Sequence, residues 1–308
     1  IMLSFYSSFA NFDPYWFDTN QPYRTAFNLS GATSNIDNYT INIGVNSSFM
    51  GQYFNFSQDR DSIRIYYYNS TTNSTLRADH DIISWDTINE NGTIKFKAPL
   101  LENGANSQYF IYFGSVSYTN EEDFCSTYLH CDFFNRTTIG SEYQTADNDL
   151  VGGTDFSISS DELQIIAGGD DTWTGDDEFG SVFLDDIEGD VDIEVAVISH
   201  GNVHPWNKAG IMMRNDMTQP TISTGYVYQV ITSGNGYVFQ EDSDDNGFLD
   251  SSTTASSRVL PSYLRLTKLG QTFEGFYSTT TPNTWTSVNS ATKTSANSIQ
   301  DIGLSLTS

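Results

Sequence analysis

The sequence predicts an all-β protein made of two antiparallel β-sandwich, jelly-roll-like domains. Three observations predict it. Short runs rich in Val, Ile, Tyr, Phe and Thr recur along the 308 residues, separated by polar turns. Several runs alternate apolar and polar residues with period two, and no segment sustains a 3.6-residue period. The length corresponds to about two domains, each long enough to bury a sizeable core.

Residues 1–22 form an apolar and aromatic N-terminal extension. From Ile1 to Phe12 there is no charge, and the residue types favour extended backbone, which suits a strand donated to the open edge of another chain. The small-residue stretch Ser8-Phe9-Ala10 reads equally as the remnant of a signal sequence. Residues 23–118 are expected to be the first sandwich, with strands at 24–30, 39–45, 62–68, 81–85, 93–98 and 109–113. In Thr93-Ile-Lys-Phe-Lys-Ala98 the apolar residues fall on one face, as in a half-buried strand. Asn91-Gly92 and Asn103-Gly104 are turn signals between runs.

Residues 119–130 are polar and acidic and read as a linker, with Cys125 and Cys131 straddling its end. In an oxidising compartment that spacing closes a small disulfide loop; in a reducing one it leaves two thiols. A zinc site wants about four ligands, and only His130 is nearby. Residues 131–308 resume with strands at 155–159, 163–166, 179–184, 191–199, 209–214, 225–232, 237–240, 263–268, 272–278 and 302–306. Strands this numerous without intervening helices imply two packed antiparallel sheets.

Charge narrows the function. Acidic residues number 39 and basic residues 13, a net of −26, so phosphate backbones and anionic membrane surfaces repel the chain. Apolar residues make up 38% and aromatics 14%, too many for a disordered acidic tail. No apolar stretch approaches the roughly 18 residues of a membrane span. Residues 131–308 carry 26 acids against 7 bases, and the stretch from Asp161 to Glu194 has 13 acids with no Lys or Arg. Such a block needs solvation or cations.

Eight Asn-x-Ser/Thr sequons stand at Asn28, Asn38, Asn46, Asn55, Asn69, Asn73, Asn91 and Asn135, all before residue 136. Clustering of this kind points to exposed loops in an exported, glycosylated protein at the cell surface or outside it.

The sharpest local motif runs from Asp242 to Asp250. Asp242, Asp244 and Asn246 occupy positions 1, 3 and 5 of a calcium-loop pattern, Gly247 occupies position 6, Phe248 would lend its carbonyl, and Asp250 stands at position 9. Thr253 replaces the bidentate Glu of a full EF-hand. Calcium is therefore the expected cofactor. A second, less regular acidic group is Asp170, Asp171, Asp176, Asp177 and Glu178. Glu188, Asp190, Asp192 and Glu194 alternate, which would place four carboxylates on one strand face, yet no catalytic constellation is assembled from them. Trp173, Trp206, Trp285 and Tyr263 offer flat faces on which sugars could stack.

The second half resembles concanavalin A-like, laminin-G-like modules. The matching residues are Ala167-Gly-Gly-Asp-Asp-Thr-Trp, Asp177-Glu-Phe, Glu188-Gly-Asp190, His204-Pro-Trp-Asn-Lys208-Ala-Gly-Ile-Met-Met-Arg214, Tyr263-Leu-Arg-Leu-Thr-Lys-Leu-Gly270, Gln271-Thr-Phe-Glu-Gly-Phe-Tyr-Ser278, Trp285-Thr and Ile302-Gly-Leu-Ser-Leu-Thr-Ser308. The first half is similar to a domain of unknown function common in archaeal and bacterial cell-surface proteins. That likeness rests on Pro22-Tyr-Arg24, Asp61-Ser-Ile-Arg64, Trp85, Lys95-Phe-Lys-Ala-Pro99 and Tyr109-Phe-Ile-Tyr-Phe-Gly114. The resemblance implies surface display and is nearly silent on activity. In the resembled module a further strand follows the Gly303-Leu segment, so the second domain is expected to lack its last strand and to leave an apolar edge.

Together these readings lead to a non-enzymatic structural or adhesive glycoprotein, a subunit of an extracellular filament or surface layer assembled by strand exchange between copies. The alternative is a carbohydrate-binding module of a secreted polysaccharide-processing system.

Overall fold

The computed structural model describes residues 2–8 (backbone), 16–32, 34–69, 72–104, 107–115, 117–148, 152–280, 282 and 284–307. Most of the aromatic lead-in, residues 9–15, lies outside the described residues, as do Ser70 and Thr71 of the Asn69 sequon. The protein is all-β and divides into two compact units, Ile1–Asp132 and Phe133–Ser308.

The first unit contains β1 (Met2–Ser8), β2 (Tyr23–Ser30), β3 (Ile36–Asn46), β4 (Arg64–Asn69), β5 (Ser74–Ala78), β6 (His80–Asp86), β7 (Asn91–Leu101) and β8 (Ser107–Phe113). They form two antiparallel sheets ordered β1-β2-β8-β4-β5 and β3-β7-β6. The alternation seen in sequence drives the packing: in β3, Ile41, Ile43 and Val45 are buried while Asn42, Gly44 and Asn46 face water. With Phe27, Ile65, Tyr67, Ile94, Phe96, Tyr109 and Ile111 they make one core, each large side chain contributing about 1.5–3 kcal/mol of burial.

Three expectations for this unit are corrected. The N-terminal strand is not extended toward another chain: β1 pairs along β2 of its own unit, from Met2 opposite Ser30 to Ser8 opposite Arg24. Without it β2 would be a bare edge. Asn91-Gly92 lies inside β7, and the chain reverses at 87–90 with Glu90 at φ 50°. Gly92 is opposite Trp85, and a Cβ there would stand 2.6 Å from the Trp85 ring, so the glycine makes room for an indole. The segment 119–130 is fastened to the first unit. Arg60 forms a fork with Glu122 at 2.9 and 2.7 Å, Thr40 Oγ1 donates to Thr127 O at 2.6 Å, and Cys125 and Cys131 are joined as a disulfide.

The second unit contains β9 (Gln144–Asp147), β10 (Asp155–Ser159), β11 (Glu162–Ile166), β12 (Gly180–Glu188), β13 (Val191–Val197), β14 (Lys208–Arg214), β15 (Val227–Thr232), β16 (Gly236–Glu241), β17 (Ser251–Thr254), β18 (Ser262–Leu269), β19 (Thr272–Ser278), β20 (Thr286–Thr292) and β21 (Ile299–Thr307). A seven-stranded sheet, β17-β16-β15-β14-β21-β12-β9, packs on a four-stranded one, β13-β18-β19-β20, with β10-β11 as a separate hairpin. Ile211, Met213, Val227, Ile231 and Phe239 meet Leu264, Leu266 and Phe273 between the sheets. The other face of the large sheet is also buried: Met212, Tyr228, Val230, Val238 and Phe183 form a second cluster with Phe179, Met217, Tyr226 and Leu249. Hence Met212 and Met213, on opposite faces of β14, are both core residues.

The seven-stranded sheet does not have the expected open apolar rim. β21 lies inside the large sheet, between β14 and β12. The edges are β17 and β9, four residues each and mostly exposed and polar, which is how natural sheets discourage pairing with other chains.

Antiparallel order sends the loops of this sandwich alternately to two ends. Loops 198–207, 233–235, 255–261 and 279–285 share one end and contain no Asp or Glu. They are tied together, with Gly234 N donating to Pro205 O at 2.9 Å and Asn235 Nδ2 to the same oxygen at 3.1 Å. The opposite end gathers Asp185, Asp186, Asp190, Asp216, Asp242, Asp244, Asp245 and Asp250.

Candidate functional site

The acidic residues before β12 have a structural partner set. Segment 167–179 crosses the outer side of the seven-stranded sheet and is pinned at two points. Asp171 pairs with Lys208. Farther along, Arg214 Nη1 donates to both oxygens of Asp177 at 3.1 and 2.9 Å, with neither side chain exposed. Burial lowers the Lys208 pKa, and Asp171 opposes that shift. Of the remaining members of the expected group, Asp170 and Asp176 are exposed and Glu178 is half-buried. Glu178 folds back on Asp170 and Asp171, accepting Asp170 N at 3.3 Å and donating its own N to Asp171 O at 2.8 Å, yet no three of the five carboxylates lie within 4.8 Å of one another.

The 242–250 loop is wound tightly. Asp242 is buried and accepts Asn246 N at 3.0 Å and Gly247 N at 2.8 Å. Gly247 has φ 93°, and a Cβ would meet Thr221 O at 2.5 Å. Asn246 Nδ2 reaches Asp244 at 3.1 Å, Phe248 N donates to Asn246 Oδ1 at 2.9 Å, and Asp250 accepts Ser243 N at 2.7 Å. Lys293 donates to the Asp242 carbonyl and lies 3.1 Å from Asp245. Burial raises the Asp242 pKa, against the pull of the two amides. As wound, the loop's acids are held by its own backbone and by Lys293 and Ser295, and no three of its carboxylates approach within 4.8 Å.

Among the described residues, one carboxylate trio does approach that closely: Asp185, Asp186 and Asp301. A bulge between Leu184 and Ile187 of β12 brings the first two over β21. Asp301 is 3% exposed and accepts Met217 N at 2.8 Å and Asp186 N at 3.1 Å. Burial, joined by Asp185, pushes its carboxyl up to about 6. This trio was not expected from the sequence: Asp185 and Asp186 are adjacent, but Asp301 lies 115 residues from Asp186.

The expected row of four carboxylates is halved. Glu188 ends β12 in the large sheet, Gly189 turns the chain at φ 90°, and Asp190 accepts Gly270 N at 2.6 Å. The change of sheet breaks the alternation, and only Asp192 and Glu194 share the outer face of β13.

That face is where the sequence candidates converge. On β18, Tyr263 and Arg265 are two apart and point outward. Cross-strand register sets Glu194 and Phe276 on either side of Arg265, and Ser287 beyond Phe276. Arg265 grips Asp192 with a fork, Nε to Oδ1 at 2.7 Å and Nη2 to Oδ2 at 2.6 Å, and lies 3.9 Å from Glu194. Its guanidinium sits 5.2 Å from the Phe276 ring and 5.7 Å from the Trp285 ring. Ser287 Oγ holds Glu274 at 2.8 Å. Tyr263, Phe276 and Trp285 are half-exposed. The arrangement presents aromatic faces beside hydrogen-bond donors and acceptors of fixed direction.

Of the four sugar-stacking candidates, Trp285 and Tyr263 therefore flank the same arginine. Trp206 is 37% exposed on loop 198–207, and Trp173 packs against the buried cluster beside Leu249. Phe276 and Arg265 were not expected as site residues. Of the sequon asparagines, Asn38, Asn46, Asn55, Asn73, Asn91 and Asn135 are exposed, while Asn28 and Asn69 are half-buried. No helix among the described residues is long and apolar enough to cross a membrane.

No protein-family model matches this chain, and no curated protein matches it. Among solved structures, a truncated AlyQ with CBM32 and alginate lyase domains is similar over 99% of this chain and 95% of that one, at 9% identity and a TM-score of 0.32. A likeness this slight carries no argument about function.

Proposed function

We propose that this chain is an exported, non-catalytic surface glycoprotein whose second unit binds carbohydrate through the outer face of its four-stranded sheet. The observation that carries the proposal is the pair of rings, Phe276 and Trp285, beside the clamped Arg265, with Tyr263 two residues along the same strand. Sugar rings offer an apolar C–H face to an aromatic ring and hydroxyls to polar groups at its margin, and this face has both. Exposure of six sequon asparagines supports export and glycosylation. The non-catalytic part of the reading is supported by how the charged groups are engaged: Asp177, Asp171 and Lys293 hold loops, and Asp192 holds Arg265.

A glycan array probed with the full chain tests the proposal, with Trp285→Ala as the comparison. Binding to a defined set of glycans, lost in W285A at an unchanged melting temperature, is the expected result. Binding that W285A leaves intact would remove this face from the proposal.

A further inference from the structure

Resting on that reading, we infer that the face takes uncharged sugars and rejects uronate-rich chains. The inference comes from how the charge of Arg265 is arranged. An arginine that recruits acidic sugars must keep its fork open for the ligand's carboxylate. Here the fork formed by Nε and Nη2 is filled by Asp192, with Glu194 at 3.9 Å. Those two carboxylates and Glu274 raise the Arg265 pKa further, Asp192 first through its hydrogen bonds.

Three carboxylates against one guanidinium leave the face net negative. The surroundings add to this, since residues 133–308 carry 25 acids and 7 bases, a net of −18. A ligand carboxylate brought to Trp285 would meet like charge within a Debye length, about 8 Å at physiological salt.

What remains available suits a neutral ligand. Nη1 of Arg265 makes no hydrogen bond among the described residues, and the guanidinium lies beside the two rings. Its N–H groups can donate to a ring or hydroxyl oxygen, while Glu274 can accept from hydroxyls. Clamping by Asp192 fixes the guanidinium plane in advance, so little freedom is lost when a sugar docks.

Calorimetric titration of the full chain with cellohexaose, chitohexaose, mannohexaose and hexagalacturonate, at 20 and 150 mM salt, tests the inference. At least one uncharged hexasaccharide should bind with little salt dependence. Hexagalacturonate should bind at least tenfold more weakly at 150 mM salt and more weakly again at 20 mM. In the Asp192→Asn, Glu194→Gln double variant, which opens the fork, that gap should shrink. Ser287→Arg, at an exposed position, should shrink it without touching the clamp if the double variant fails to fold. Hexagalacturonate bound as tightly as the neutral sugars by the unaltered chain would overturn the inference and leave the carbohydrate reading standing. Binding of none of the four would overturn both.

Discussion

Arg214 and Asp177 form an ion pair with no exposed surface on either side chain, two N–H···O contacts at 3.1 and 2.9 Å linking β14 to the strap above it. Thr221 N adds a third bond to Asp177 at 2.7 Å, and the guanidinium rests 4.2 Å from the Tyr226 ring. Such a pair is costly to desolvate and more costly to break. Arg214→Met should destabilise the second unit by about 3–5 kcal/mol, because it leaves a buried, unpaired carboxylate. Adding Asp177→Leu should return part of that loss. Urea denaturation of the two variants measures it, and equal loss in both would mean the carboxylate is not the source.

Asp301 gives the second unit a pH response. Its folded-state pKa is about 6, above the ordinary 3.8, so the folded state holds the extra proton between those values. Its stabilising contribution is full below about pH 4 and is lost as pH rises through 6, at most about 3 kcal/mol in all. The difference in melting temperature between the unaltered chain and Asp301→Asn should therefore favour the unaltered chain more at pH 4.5 than at pH 7. A difference constant with pH would contradict the assignment.

His80 acts with the opposite sign in the first unit. It is 2% exposed, and burial, then Arg64 and Arg77, bring its pKa down to about 4 from 6.5. The unfolded chain takes up a proton that the folded one refuses, so stability falls as pH drops from about 6.5 to 4, by up to about 3 kcal/mol. His80→Gln should flatten that part of the pH–stability curve, as followed by thermal melts from pH 4 to 7.

Two glycines with left-handed backbone should respond differently to alanine. Gly247→Ala carries both φ 93° and a Cβ 2.5 Å from a carbonyl oxygen, and should cost about 2 kcal/mol or more. Gly270→Ala, at φ 58° with nothing within 4 Å, should cost only about 1 kcal/mol. Denaturation midpoints of the two variants provide the comparison.

The class of fold was legible because strand alternation is a local property: β3, β7 and β13 could be read from their own residues. Edge pairing was not, since whether β1 meets β2 or a strand of another chain depends on surfaces that local sequence does not describe. Gly92 misled for a different reason. An Asn-Gly pair signals a turn unless a large ring needs the space, and that need comes from Trp85 on the facing strand. The carbohydrate face was half legible. Trp285 and Tyr263 stood out as flat side chains, whereas Arg265 and Phe276 gain meaning only through the register of β13, β18 and β19. The strap acids looked like a solvated or cation-binding block until β14 supplied Lys208 and Arg214 from 37 residues away.

Eight aspartates at one end of the second sandwich concentrate negative charge there. Dissolved cations collect around it and anions are turned away. Added salt shortens the reach of that field, which extends about 8 Å at physiological ionic strength.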